Sequence, residues 1–561
     1  MKIVTIYKKK GCKKDLKYYR GIFLTIIISK IFEKLIKART ENSLQEVNLF
    51  QAGSRKNRGP SDNVFLLRGV MDHFKFTKKP LLISSYDFEQ AFDSLWLEDC
   101  ILSLNELGVE KEYLQLIYNL NKQADVIVQT PYGPTQMFHT DPIVKQGTVL
   151  GPCLCSASTG EYCGLNPGVR VRDTTISSLV YVDDIIDLSS SVKDYLLSHE
   201  NALLFKNRKK LTLSGTKCYS MVLNMKDDDL PTLTLERAAQ VIVSKEIVYL
   251  GDIFNEQGNN DGLIRDRVKR GIKAMIAIAA LISESELGMH RISVMLLLYR
   301  SLFLSTVLFN SSTWSNLRKK DIEALRKVQL KMLKRTVGVA SSTSNAFIYL
   351  ELGVLPIDYE IEKRQIMFLY RILQLEPTDP VYNLFCEMVK LNEDGELNWW
   401  SGVKVALAKF NLPSDLDVIK KMTRNSFTKL VKTSVSQTAL NQLLNECQNQ
   451  KKTADLHYSE LKLQHYLEHL SPSHSKLVFK WRSKTLDLKT HSTYKYPDKL
   501  CRKCKIHEET PDHVLNCGMD DRMEKNTDIR KIDQIDDCTK LELTQMVLRI
   551  NSFLEKVAEN N

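Results

Sequence analysis

Apolar and polar positions through roughly the first 255 residues keep changing rhythm, with short β-prone runs alternating with stretches where apolar residues return every three or four positions. Turn residues such as Pro131-Tyr132-Gly133-Pro134 punctuate them. The alternation predicts an α+β domain over 1–258. Within it, Leu179-Val180-Tyr181-Val182-Asp183-Asp184-Ile185-Ile186-Asp187-Leu188 sets two adjacent acids between apolar runs, which predicts a strand, a tight turn and a returning strand. Leu81-Leu82-Ile83-Ser84-Ser85-Tyr86-Asp87 reads as an apolar strand ending in an acid and running into a helix-compatible stretch. Beyond Asp261 the β signal fades. Periodicity predicts helices over 263–282, 291–309, 319–337 and 357–373, a helical module at 259–375. The polar stretch 392–450 has weak helical periodicity and reads as part of a helical connector at 376–495, its alternating charges a solvated face. In the last part, 496–561, Leu541, Leu543, Val547, Leu548, Ile550 and Phe553 fall at near-helical spacing and predict a terminal helix. No internal repeat or low-complexity tract interrupts the chain.

A chain of 561 residues can bury more than one core, so at least two domains are expected. With 43% hydrophobic and 26% charged residues it is neither a disordered nor a membrane composition. A net charge of +12 favours polyanionic partners and supports, without proving, nucleic-acid binding. The apolar run 22–28 is far shorter than the roughly 20 residues that cross a bilayer, and Arg300 interrupts the run 294–309. The N-terminus lacks a signal peptide's apolar core and cleavage site. An intracellular protein of cytoplasm or nucleus, without membrane association, is expected. Most of the 12 cysteines are scattered, and one cluster alone has ligand spacing.

The paired acids carry the chemical argument. Adjacent carboxylates at a buried turn repel each other and lose hydration, which is costly unless a cation neutralises them. A surface Asp-Asp turn is the alternative reading. Asp87, at a strand end, is placed to meet the Asp183-Asp184 turn. Three converging acids can hold two Mg²⁺ ions roughly 3.5–4 Å apart, one activating a primer 3′-hydroxyl and the other steadying triphosphate and pyrophosphate.

These residues resemble the palm of reverse transcriptases, specifically those of non-LTR (LINE-like) retrotransposons. Tyr181-Val182-Asp183-Asp184 is similar to the family's Y/F-x-D-D box, and Asp87-Phe88-Glu89-Gln90-Ala91-Phe92-Asp93 to its D-x-E-K-A-F-D box. The resemblance implies Asp87 and Asp183 as principal Mg²⁺ ligands, with Mn²⁺ as a possible substitute. It implies Asp184 as a weaker ligand, the Phe88 carbonyl as another, and Phe92 as the ring that excludes a 2′-hydroxyl. Gln146-Gly147-Thr148-Val149-Leu150-Gly151-Pro152 resembles the Q-G-x-x-L-S-P box, which implies that Gln146 contacts the incoming nucleotide and Gly147 lets backbone approach the template. Ile143 and Gly151 depart from the family's glycine and serine. Lys9 to Asp15 and Tyr18-Tyr19-Arg20-Gly21-Ile22 resemble the fingers segment, with Arg20 a candidate for triphosphate. Ser54-Arg55-Lys56-Asn57-Arg58 resembles a basic template-contacting loop. Leu211 to Lys217 resembles the segment whose lysine protonates leaving pyrophosphate, which implies Lys217 in that role. Val248-Tyr249-Leu250-Gly251-Asp252 is similar to the Y-L-G box, implying Tyr249, Leu250 and Gly251 as the primer grip.

Cys501 and Cys504, then His513 and Cys517, give the spacing C-x2-C-x8-H-x3-C, the ligand set of a closed structural Zn²⁺ site; chance clustering is the alternative. LINE-like proteins carry a similar module after the thumb, which implies nucleic-acid binding with Arg502, Lys503 and Lys505 on phosphate. Trp481 is expected in a core.

The expectation is therefore a right-hand polymerase with α+β fingers and palm, a helical thumb, and a mostly helical C-terminal region bearing a zinc knuckle. Its activity would be RNA-directed DNA polymerisation, with RNA template, DNA primer and dNTPs as partners. A catalytically impaired nucleic-acid-binding remnant of such an element is the alternative, and an RNA-dependent RNA polymerase, disfavoured by Phe92, a further one. The fingers resemblance begins almost at Met1 and the tail 518–561 is short, so a truncated element or an incomplete gene model, without an endonuclease domain, is expected. The tail acids Asp520, Asp521, Asp536 and Asp537 read as a solvated face.

Overall fold

The β-prone runs form a five-stranded sheet in the order Ile242–Val243, Tyr219–Leu223, Leu81–Tyr86, Asp184–Ser189, Leu179–Tyr181 in this computed structural model. It describes all residues except 10, 123, 131–132, 142, 227–228, 236–238, 284–286, 451, 455, 492–494, 518–538 and 560–561. Lys10 of the fingers segment, Pro131 and Tyr132 of the expected turn, and the tail acids Asp520, Asp521, Asp536 and Asp537 lie outside the described residues. Neighbouring strands are antiparallel except the parallel edge pair Tyr219–Leu223 and Ile242–Val243. In the central strand, Leu81, Leu82, Ile83, Ser84 and Tyr86 are all buried. Burial of both faces explains why this strand reads as a run of apolar residues rather than a strict alternation.

The helices Val192–Arg208 and Pro60–Thr77 pack on this sheet. Pro60–Thr77 is buried almost all round, as expected of an interior helix. Gly69 on it admits the Pro380–Glu393 helix: a Cβ there would stand 2.2 Å from Met388 Cε and 2.8 Å from Leu384 Cδ2. Phe65 meets Phe368 and Trp399 at ring-centroid distances of 5.5 and 5.1 Å, and His73 Nδ1 lies 3.0 Å from Glu396 Oε2. Residues 368–404 and 312–316 thus belong to one compact unit with 1–263. In the same unit a second sheet sets Lys2–Tyr7 antiparallel to Tyr19–Leu24 and parallel to Asp125–Thr130. The apolar stretch after Tyr19–Leu24 begins the Ile27–Arg39 helix.

The other unit, 264–311, 317–367 and 405–561, is helical in its described regular elements. The helices expected over 319–337 and 357–373 are Lys319–Val337 and Ile357–Leu373, and that expected over 263–282 is Asp261–Ser283. The one expected over 291–309 runs as Arg291–Leu298 and then as the π-helical segment Tyr299–Leu304. The polar stretch 392–450 holds three helices, of which Arg424–Gln448 buries Phe427, Val431, Val435, Ala439, Leu440, Leu443 and Cys447 in a narrow stripe. The terminal helix, Lys540–Glu559, buries Leu543, Val547, Ile550 and Phe553 and leaves Leu541 and Leu548 exposed. Trp481 is in the core, as expected. No helix among the described residues is long and apolar enough to cross a membrane.

A buried ion pair ties this unit together. Glu351 is fully buried and accepts from Arg482 Nε (2.9 Å) and from the hydroxyls of Tyr458 and Tyr466. Removing one partner strands the other charge without water, so Glu351→Ala should cost about 3–5 kcal/mol. Chemical denaturation followed by circular dichroism checks it; a loss below about 1 kcal/mol would mean that solvent reaches Arg482.

Candidate active site

The two-residue turn Val182-Asp183 joins Leu179–Tyr181 to Asp184–Ser189, with Tyr181 paired to Asp184. Val182 has φ 59°, left-handed backbone that a β-branched residue rarely adopts. Such a residue costs on the order of 1–3 kcal/mol and persists only where its surroundings over-determine it. Here both polar groups of Val182 are held from outside the hairpin. Its N–H donates to Gln51 Oε1 (2.9 Å), and its carbonyl accepts from Thr159 Oγ1 (2.5 Å) and Gln51 Nε2 (3.3 Å). Gln51 is fully buried and also takes the N–H of Gly53 and donates to Thr159. A Cβ on Gly53 would lie 2.6 Å from Val182 N, so only glycine lets the two chains approach. Asn63 Nδ2 donates to the Val180 carbonyl (2.9 Å) and Tyr249 OH to that of Leu179 (3.2 Å), fixing the strand before the turn. None of Gln51, Asn63 or Thr159 emerges from motif reading. The one signal is a glutamine set between Phe50 and Ala52, directly before Gly53.

The sheet register gathers the acids. Ile185 pairs with Tyr86, so one step further along the two strands Asp184 faces Asp87. Tyr219 pairs with Ser85, bringing the segment before it alongside, and Lys217 Nζ donates to Asp87 Oδ2. The Asp87 carbonyl is taken by the Ser214 N–H (2.9 Å), and buried Phe88 bridges to Leu213. Loss of hydration pushes the Asp183 carboxyl above its usual range, with the Asp87 charge adding to it and Lys217 and Arg20 opposing. Asp184 is pushed up to about 7, by desolvation first and then by Asp183 and Asp87. The cluster holds more negative charge than Lys217 and Arg20 balance, the electrostatic condition that a divalent cation relieves.

Other expected residues surround this cluster. Exposed Arg20, on Tyr19–Leu24, is near enough for its charge to act on Asp183. The Gln146 carbonyl accepts from the Phe23 N–H (2.8 Å), and Gly147 has φ 104° with its Cα against Ile22 and Phe23, a close approach only glycine permits. Half-buried Phe92, on the short helix Ala91–Ser94, packs on the core, and the bridge Trp96–Ile143 brings the Gln146 segment beside it. Tyr249 is buried under the hairpin, and Leu250-Gly251, with φ 45° and 85°, form the partly exposed turn after it. In the basic loop, Arg58 pairs with Asp379 and burial lowers it to about 10, whereas Lys56 is exposed.

The cysteine cluster assembles. The donor atoms of Cys501, Cys504, His513 and Cys517 all lie within 4.8 Å of one another, the only such group of three or more His, Cys, Asp or Glu among the described residues. The three carboxylates share one end of the inner strands without converging so tightly, and Asp87 is engaged by Lys217. Cys501 Sγ and Cys517 Sγ are 3.7 Å apart, and Cys504 Sγ and His513 Nε2 3.2 Å. The sulfur spacing suits a tetrahedral edge for metal–sulfur bonds of about 2.3 Å. Arg502 turns inward onto buried Glu509, and Lys503 Nζ donates to the Cys517 carbonyl (2.7 Å), so both brace the cluster.

Because Gln51 is the acceptor for the Val182 and Gly53 N–H groups and shares the Val182 carbonyl with Thr159, Gln51→Ala should destabilise the protein by about 1–3 kcal/mol, the cost of unsatisfied buried groups. Denaturant unfolding compared with Lys56→Ala checks this, and equal stability of the two variants would show that the turn holds without Gln51.

Residues 7–254 match the family reverse transcriptase (RNA-dependent DNA polymerase). The chain is 24% identical over 257 residues to the uncharacterized 149 kDa protein of transposon TX1 from Xenopus laevis, covering 44% of this chain and 19% of that protein. It is 23% identical over 267 residues to the RNA-directed DNA polymerase from mobile element jockey of Drosophila funebris, covering 45% and 28%. The chain thus spans less than a third of the length of either relative. Among solved structures, apo telomerase from Candida tropicalis aligns with a TM-score of 0.36 and 13% identity, over 77% of this chain and 68% of that one. The span 7–254 contains the three acids, Lys217, the Gln146 loop and the supporting hairpin, and it is this segment that matches the reverse transcriptase family and is similar to the proteins of transposon TX1 and mobile element jockey.

Proposed function

We propose that the chain is an RNA-directed DNA polymerase that extends a primer 3′-hydroxyl with dNTPs on an RNA or DNA template by two-metal nucleotidyl transfer. The observation that carries this is the gathering of Asp87, Asp183 and Asp184 at one end of the central strand and its neighbour, with Lys217 on Asp87 and Arg20 within electrostatic reach. Hard carboxylate oxygens with uncompensated charge fit Mg²⁺. Asp87, Asp183 and Asp184 would hold it, with the Phe88 carbonyl as a further ligand. When bound there, Mg²⁺ supplies an activated 3′-hydroxyl and charge stabilisation on the triphosphate. Arg20 pairs with phosphate oxygens, and Lys217 exchanges Asp87 for the leaving pyrophosphate, to which it gives a proton. Gln146 meets the incoming nucleotide, Gly147 lets backbone approach the template, and Phe92 excludes a 2′-hydroxyl. The Leu250-Gly251 turn steadies the primer while Tyr249 anchors it from below.

The departures at Ile143 and Gly151 would favour an impaired remnant if they disturbed the loop. Ile143 instead bridges to Trp96, and a Cβ on Gly151 would lie 2.8 Å from the Lys145 carbonyl, so glycine is what this loop accommodates. An intact site is the better-supported reading. For the C-terminal cluster, Cys501, Cys504, His513 and Cys517 fit structural Zn²⁺, and we assign it a nucleic-acid-binding role in which Lys505 rather than Arg502 or Lys503 meets phosphate.

Asp183→Asn should abolish dNTP incorporation on a primed RNA template while template affinity stays within a few fold, because the carboxylate serves the chemistry and not duplex binding. Incorporation near the wild-type rate would sink the assignment. For the cluster, the wild-type protein should hold one Zn²⁺ per chain and Cys501→Ser should lose it, since structural zinc binding is coupled to folding. Elemental analysis of chelator-free, reduced protein decides; a wild-type content near zero refutes the site.

A further inference from the structure

The loop that carries Gln146 and Gly147 is strung between two buried charges. On one side Lys145, 1% exposed, donates from Nζ to the carbonyls of Leu120 (3.2 Å) and Lys122 (3.0 Å) at the C-terminal end of the Lys111–Asn121 helix. On the other, Glu33 of the Ile27–Arg39 helix, 4% exposed, accepts at one oxygen from the N–H groups of Val149 (2.6 Å) and Leu150 (3.1 Å), where the Gly151–Gly160 helix begins. Each charge sits at the helix end whose dipole favours it, the cation at a C-terminus and the anion at an N-terminus. Helix starts are ordinarily capped by a short polar side chain from the adjoining turn. Thr148 does this for the Gly151 N–H, but the two amides before it are met by Glu33, from 116 residues earlier in the chain. A carboxylate drawn out of water over that distance stabilises only if the amides it meets are fixed, and in meeting them it fixes them. Between the two charges, the Gln146 carbonyl is bound to Phe23 of the strand that bears Arg20.

We propose that Glu33 is a positioning residue for nucleotide binding, which by holding the Val149 and Leu150 amides sets the Gln146-Gly147 loop against the Arg20 strand so that the incoming dNTP meets a preformed contact. The inference rests on the polymerase reading. Glu33 touches no substrate, and its effect is selective: a loosened loop weakens dNTP binding, leaving primer–template affinity and the carboxylate chemistry in place.

The full chain and its Glu33→Gln and Glu33→Ala variants are compared on poly(rA)–oligo(dT). Steady-state extension gives KM and kcat for dTTP. The dTTP concentration that stabilises the complex on a dideoxy-terminated primer gives nucleotide affinity without turnover. Glu33→Ala should raise both KM and that concentration by about tenfold, with kcat and primer–template affinity within about threefold. Glu33→Gln, which keeps a neutral acceptor, should recover part of the loss. A lowered melting temperature with unchanged KM and nucleotide affinity overturns the proposal, because Glu33 then serves the fold alone. Wild-type protein that binds dTTP on the terminated primer but never extends an open one would retire the polymerase reading, while the affinity comparison still decides Glu33. Wild-type protein that binds no dTTP overturns both.

Discussion

Two adjacent carboxylates, Asp183 on a two-residue turn and Asp184 opening the strand after it, push against each other and against the loss of water, and this repulsion must be contained before the site can exist. The turn starts from a poor backbone, since Val182 sits at φ 59° where glycine would be comfortable. Containment comes from Gln51 and Thr159, which occupy both backbone polar groups of Val182. Much of the surrounding sequence follows from that. Gly53 must lack a side chain so that Gln51 can reach, and Gly160 must lack one because a Cβ there would stand 2.7 Å from Val47 Cγ1. Asn63 and Tyr249 then hold the strand that feeds the turn. The apolar β-runs make the sheet; this polar collar decides where its acids point.

The sheet and the acids were legible in the sequence because local pattern determines them. Apolar runs around Asp183-Asp184 can only be a hairpin with the acids at its tip, and an apolar run ending at Asp87 can only deliver that acid at a strand end. Lys319–Val337 and Ile357–Leu373 were equally readable, since their apolar stripes are broad. Arg424–Gln448 was not, because its buried stripe is narrow and set between Thr, Ser, Gln and Asn. The collar was invisible for a different reason: Gln51 and Val182 are 131 residues apart, and nothing local to either announces the other. The same holds for the return of 368–404 to the first unit, which depends on Gly69 yielding space to Leu384 and Met388.

Charge was the least informative signal. A net +12 invites every arginine to be a phosphate contact, yet Arg58 is spent on Asp379, Arg68 on Asp252, Arg482 on Glu351 and Arg502 on Glu509. A guanidinium's five fixed donors suit it to internal pairing as well as to phosphate, so sequence alone cannot divide the two roles. Burial divides them: Lys56 and Arg20 stay at the surface, while the inward arginines are taken up by buried carboxylates.

The altered box at Gln146 shows why residue identity and geometry have to be weighed separately. Serine before Pro152 would have offered a hydroxyl at the start of the Gly151–Gly160 helix. Here Thr148 offers it from three positions earlier, accepting from the Gly151 N–H (3.1 Å) and donating to the Lys145 carbonyl (2.9 Å). That arrangement brings the Lys145 carbonyl and Thr148 hydroxyl so near to Gly151 that a Cβ there would lie 2.8 and 2.9 Å from them. The glycine and the threonine therefore form one solution to a single requirement, satisfying the first amide of the helix without disturbing the loop. A departure that would count as damage when read one position at a time is, in the folded loop, the partner of a neighbouring residue.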